Sequence, residues 1–103
     1  MENKDIVYIT QQAFDSDWII CGSSKMDIAF DSIVDFMPQV NNKYGISILK
    51  FQNGECIGGT IITKYGKLHD TGGFTNEERD YLVKVSEKVK ALELGVERYE
   101  IIC

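Results

Sequence analysis

The chain is poor in the residues that build recognisable chemistry. Its 103 positions hold one histidine, one proline, one tryptophan and three cysteines. A lone histidine, with no C-x-x-C pair among Cys21, Cys56 and Cys103, offers neither a zinc site nor a disulfide framework, and no metal or other cofactor is expected. Each cysteine sits in an apolar, strand-like context, as in Trp18-Ile19-Ile20-Cys21 and Ile101-Ile102-Cys103, so all three are expected to be reduced and buried. No stretch approaches the roughly 18 apolar residues of a membrane span. Met1-Glu2-Asn3-Lys4-Asp5 is acidic and polar where a signal peptide is basic and then apolar, so a cytoplasmic protein is expected. G-x-G-x-x-G, the P-loop, the EF-hand loop, internal repeats and low-complexity tracts are all missing.

What remains is an ordinary globular composition, 44% hydrophobic and 26% charged, which predicts an ordered single domain over residues 1–103. The net charge of −5 repels nucleic acid and anionic membranes and favours a basic protein partner. Isoleucine-, asparagine- and lysine-rich usage suggests a bacterial or phage origin.

Hydrophobic periodicity supplies the elements. Asp5 to Thr10 alternates as a strand, and a second short run, Trp18 to Cys21, ends at Gly22. Ser24 with Asp27 resembles a capping box opening a helix, in which Met26, Ala29, Phe30, Ile33, Val34 and Met37 form one apolar stripe and Pro38 ends the pattern. Two isoleucine- and threonine-rich segments, 45–52 and 55–63, flank Asn53-Gly54, the strongest hairpin signal in the chain. The register that follows pairs Phe51 with Cys56 and Leu49 with Gly58, and Gly58-Gly59 points to a bulge or a close neighbour. A short strand is expected around Lys67-Leu68-His69. Thr75 and Glu78 form a second capping box ahead of a helix whose apolar face is Tyr81, Leu82, Val85, Val89 and Leu92, and a strand from Arg98 to Cys103 follows. The order predicts an α+β fold: an antiparallel sheet with two helices, ferredoxin-like βαββαβ with an extra N-terminal strand. A profilin-like or roadblock-like sheet with helices on both faces gives a similar order and is the alternative.

Two groups of residues are candidates for function. Asp27, Asp31 and Asp35 recur every four residues along one side of the first helix, where like charges cost about 0.2–0.5 kcal/mol per pair in an isolated helix. With Asp15 and Asp17 on the preceding loop they would form an acidic surface for a basic protein. The second group is His69, Thr71, Gly72, Gly73 and Thr75, a glycine-containing loop before a helix N-terminus whose amides could cradle a small ligand or nucleotide. Asp70, Glu77 and Glu78 flank that loop and oppose phosphate. Lys43, Lys50, Lys64 and Lys67 lie among Tyr44, Phe51 and Tyr65, a pattern read as sheet packing with lysine-protected edges, since no RNA-recognition signature is present. By elimination the sequence reads as a non-enzymatic, small acidic protein-binding module that regulates or inhibits its partner, of the immunity, antidote or phage-inhibitor type. A small-ligand sensor built on the 71–76 loop is the alternative.

Overall fold

The computed structural model describes residues 6–14, 18–40 and 44–94. Alternating side chains build strand β1 (Ile6–Gln12), which turns back as β2 (Ile19–Ser23); helix α1 (Met26–Phe36) follows, then β3 (Ile46–Gln52), β4 (Glu55–Ile62) and helix α2 (Asn76–Ala91). The sheet order is β2-β1-β3-β4, and every neighbouring pair is antiparallel. Because β2 and β3 both run against β1, they are parallel to each other, and α1 joins them as a split βαβ unit with the N-terminal strand filling the gap. Both helices contribute to one core against one face of the sheet. The fold is thus α+β and ferredoxin-like, in βαββα order with an extra N-terminal strand. The arrangement with helices on both faces does not describe it. The strand expected at Arg98 to Cys103 lies outside the described residues.

Local chemistry accounts for most of these elements. Asn53 and Gly54 adopt the positive φ values, 54° and 85°, that a tight hairpin turn demands. Phe51 pairs with Cys56 as the turn predicts, but Leu49 pairs with Gly59, because Ile57 is inserted as a bulge and moves Gly58 opposite Lys50. Thr75 caps α2, its hydroxyl accepting from the Glu78 amide at 3.2 Å while the Glu78 carboxylate accepts from the Thr75 amide at 2.7 Å. The first helix departs from expectation. Lys25 is its N-cap and provides no side-chain cap; Asp27 accepts from the neighbouring Ile28 amide, and the Ser23 hydroxyl accepts from the Lys25 amide. Gly22 lies inside β2, paired with Ile9, and does not break it. The short strand near Leu68 is a single bridge to Ile62.

Between sheet and helices the core is apolar, with aromatic rings at its centre. Phe30, Ile33, Met37, Ile46, Ile48, Ile62, Leu82, Val85 and Val89 are fully buried. The Phe30 ring meets Tyr8 and Tyr81 edge-on, with centroids 5.2 and 5.8 Å away. Phe30→Ala is therefore expected to cost about 3–5 kcal/mol and Val85→Ala about 1–3 kcal/mol, from lost transfer energy plus a cavity. Lys88→Ala, on the exposed side of α2, should change stability by no more than about 0.5 kcal/mol. Urea unfolding of the three variants measures this.

Candidate functional site

The carboxylates of α1 stand where helical spacing puts them. Asp27, Asp31 and Asp35 are all exposed. Asp31 is also held: the Tyr81 hydroxyl of α2 donates to its Oδ1 at 2.8 Å. Burial, that hydrogen bond and the charges of Asp31 and Asp27 push the Tyr81 hydroxyl up to about 12. Tyr81 thus partly offsets the like-charge repulsion along the stripe. Asp15 and Asp17 lie outside the described residues.

An exposed aromatic group, not anticipated from the sequence, occupies the end of the sheet where β1 leaves it. Phe14 is 77% exposed and sits at φ 62°, a left-handed conformation that a bulky residue rarely adopts. Its ring stacks edge-on against Tyr44, centroids 5.0 Å apart, and Tyr44 is itself half exposed. Trp18, whose carbonyl accepts from the Gln12 amide, lines a shallow cleft with Phe36, the residue next to Asp35. Trp18 and Ile19 are also exposed.

The 71–76 loop is shaped by packing. Gly73, at φ 91°, lies so close to β4 that a Cβ would fall 2.1 Å from the Ile57 carbonyl oxygen, and a Cβ on Gly58 would touch Gly72 and Gly73 in return. The glycines of the loop and the bulged strand therefore explain each other. Phe74 turns into the core, and His69 is exposed, its amide bonded to the Ile61 carbonyl. Thr71, through its carbonyl, accepts from the Phe74 amide, and Gly72 is exposed.

Of that group only Thr75 borders the buried polar network at the start of α2. At the start of α2, Glu78 is 5% exposed, and one carboxylate oxygen accepts from Lys50 Nζ at 2.7 Å as well as from the Thr75 amide. The other accepts from the Tyr8 hydroxyl. Lys50 is only 4% exposed, so it is a buried ion-pair partner and not the edge-protecting lysine that its sequence context suggested. A cleft of about 310 Å³ opens over this network, lined also by Ile6, Ser24, Met26 and Glu77. Burial alone would raise the Glu78 carboxyl, yet hydrogen bonds from Lys50, Tyr8 and the Thr75 amide, with the charge of Lys50, hold it below the ordinary value. Burial, followed by the hydrogen bond and charge of Glu78 and the charge of Glu77, drives the Tyr8 hydroxyl well above the usual phenol range.

No protein-family profile, curated protein or solved structure matches the chain. Its own geometry is therefore the guide. Among the described residues no group of three or more His, Cys, Asp and Glu side chains could hold a metal ion, and no helix is long and apolar enough to cross a membrane. The cysteine expectation needs correction: Cys21 is only partly buried, and Cys56 is exposed on β4 opposite Phe51. Cys103 lies outside the described residues.

The buried network makes stability depend on pH in a definite sense. Glu78, held below its ordinary 4.5, contributes stability that is complete above that value and fades as pH falls through its lower folded value. The two tyrosines act at the other limit. Their contribution is complete below the ordinary 10.0 and is lost as pH rises through their folded values, near 12 for Tyr81. At neutral pH Glu78→Gln, which strands the Lys50 charge, should cost about 3–5 kcal/mol, and the acid limb of the stability profile should flatten. Adding Lys50→Met to that variant should restore part of the loss, because no buried charge is then left alone. Urea unfolding from pH 3 to 11 on the three proteins measures both effects.

Proposed function

We propose that the chain is a non-enzymatic protein-binding module that regulates or inhibits a partner with a basic surface. The observation that carries this reading is the aromatic end group: Phe14 is held outward in a strained backbone conformation, stacked on Tyr44 and not turned into the core. Strain of this kind persists where it serves a function, and exposed aromatics are the side chains that most often dominate interface energetics. The carboxylates of α1 suit the rim of such a surface. Rim charges act chiefly on encounter rate and on the exclusion of wrong partners, while the aromatics set how long the complex lasts. A net charge of −5 adds long-range attraction toward a basic partner.

The test is comparative capture from native lysate with the wild-type chain and with Phe14→Ala/Tyr44→Ala. The expected result is a protein retained by the wild type and reduced at least tenfold by the variant, both baits showing the same thermal midpoint. On the identified complex, Asp27→Asn/Asp31→Asn/Asp35→Asn should slow association and weaken its salt dependence, with little change in dissociation. Equal capture by both baits would move the interface elsewhere.

A second reading, a small-ligand sensor, is favoured by the cleft at Glu78. Lys50 has donors to spare beyond the one that Glu78 accepts, and Ser24 supplies a hydroxyl, while Ile6 and Met26 give apolar wall. With Glu77 and Glu78 also at the cleft and the Lys50 charge already paired, these features suit a small neutral polar molecule and oppose an anion. A thermal-shift panel of neutral metabolites, carboxylates and nucleotides should then raise the midpoint for neutral compounds only, and Met26→Trp, which fills the cleft, should abolish the shift.

A further inference from the structure

Among the described residues of the four strands, the face of the sheet turned away from the helices carries no charged side chain. The strand registers place Val7, Ile9 and Gln11 of β1 on it, with Ser47, Leu49 and Phe51 of β3, Cys56, Gly59 and Ile61 of β4, and Ile19 and Gly22 of β2. With 26% of the chain charged, a surface of this many positions would ordinarily carry about three charges. Antiparallel sheets with one face on a core usually turn polar residues outward on the other. Here Lys50, the charged residue within β3, points inward to Glu78, and the outward positions are mostly apolar. Among the described residues no element covers them.

We propose that this face packs against the same face of a second copy, related by a two-fold axis, in a weak dimer. Charge distribution selects a copy of the chain over a charged partner. The open face has no ionised group with which to attract a basic protein, whereas another uncharged, flat apolar face matches it in kind. An approach of two chains of net charge −5 through their α1 faces brings Asp27, Asp31 and Asp35 of both copies together. Stacking sheet on sheet places both helical layers outermost. With layers roughly 10 Å apart, acids on opposite copies stand on the order of 30 Å from each other, several Debye lengths at physiological salt. The aromatic end group with Phe14 and Tyr44 stays accessible, and each dimer presents two of them.

Four strands about 4.8 Å apart and roughly 20 Å long give a patch of about 400 Å² per copy, or about 800 Å² in all, below the roughly 1,000 Å² of stable specific interfaces and in the range of weak, transient ones. The dimer therefore responds to concentration.

Sedimentation equilibrium of the full chain from about 5 µM to about 1 mM, paired with the rate of Cys56 labelling by a thiol reagent, tests the proposal. The expected result is an apparent mass rising from one chain toward two, with Cys56 labelling slowing at least fivefold over the same range, because its thiol lies on the buried face. Leu49→Lys should weaken association at least tenfold with unchanged far-ultraviolet circular dichroism; Val7→Lys, at a more exposed position, serves if that variant fails to fold. Asp27→Asn/Asp31→Asn should leave the constant unaltered. A monomer at every concentration overturns the proposal, as does a dimer indifferent to both lysine variants. So does a Cys56 labelling rate independent of concentration: if fast, association uses another surface, and if slow, the chain itself covers the face.

Discussion

The contact on which the rest of the structure depends is the buried carboxylate of Glu78. It ties three elements at one point, since Tyr8 lies on β1, Lys50 on β3, and Glu78 with its cap Thr75 at the start of α2. A buried ion pair adds little net stability compared with an apolar pair of the same shape, and its value is positional. Any other placement of α2 would leave a lysine ammonium, a phenol and a carboxylate in the interior without partners, each a penalty of the kind that single contacts cannot repay. The network therefore fixes where along the sheet the second helix begins. From that point Leu82, Val85 and Val89 follow into the core at helical intervals.

Much of this was legible in the residues. The Asn53-Gly54 turn, the Thr75 cap and the stripe of α1 each rest on a local rule that tertiary structure did not override. The errors arose where two segments met. One bulged residue, Ile57, shifted the hairpin pairing beyond Phe51, and no local signal specified which residue would be extra. The apolar neighbours of Cys56 suggest burial, but they do not tell which face of the sheet it occupies, and it lies on the face away from the helices. Glu78 is the capping residue its spacing implies but is also buried, and Lys50 is not the edge lysine its context suggests. A signal for their burial was present: Glu78 continues the 82, 85, 89 stripe of α2 at helical spacing, and Lys50 continues the inward alternation of Ile46 and Ile48. One charge of each sign on two apolar faces is the pattern of a buried pair.

Of the candidate site, the α1 carboxylates are exposed as their spacing implied, whereas the aromatic end group gave no sign. Phe14 and Tyr44 are aromatic residues in polar stretches and Trp18 opens an apolar run, and sequence alone assigns such residues to the core by default. Only the backbone path, with Phe14 at positive φ, turns them outward. The three surfaces of the protein are chemically distinct as a result. Helix α1 carries acid, one end of the sheet carries aromatic rings, and the outward positions of the described strands are uncharged and mostly apolar.

The position of β1 also bears on how the protein is made. This strand leaves the ribosome before the other described elements, yet it lies inside the sheet, between two strands that are synthesised after it, and the acceptor for its Tyr8 hydroxyl comes 70 residues later. Its hairpin with β2 can form at once, but its pairing with β3 waits for residues 46–52 and the Tyr8 bond waits for Glu78. That part of assembly is consequently non-local and slower to form than the hairpins. During synthesis the apolar run Ile6 to Ile9 has no finished sheet to join, so the nascent chain is most exposed to misassociation in the interval before α2 is released.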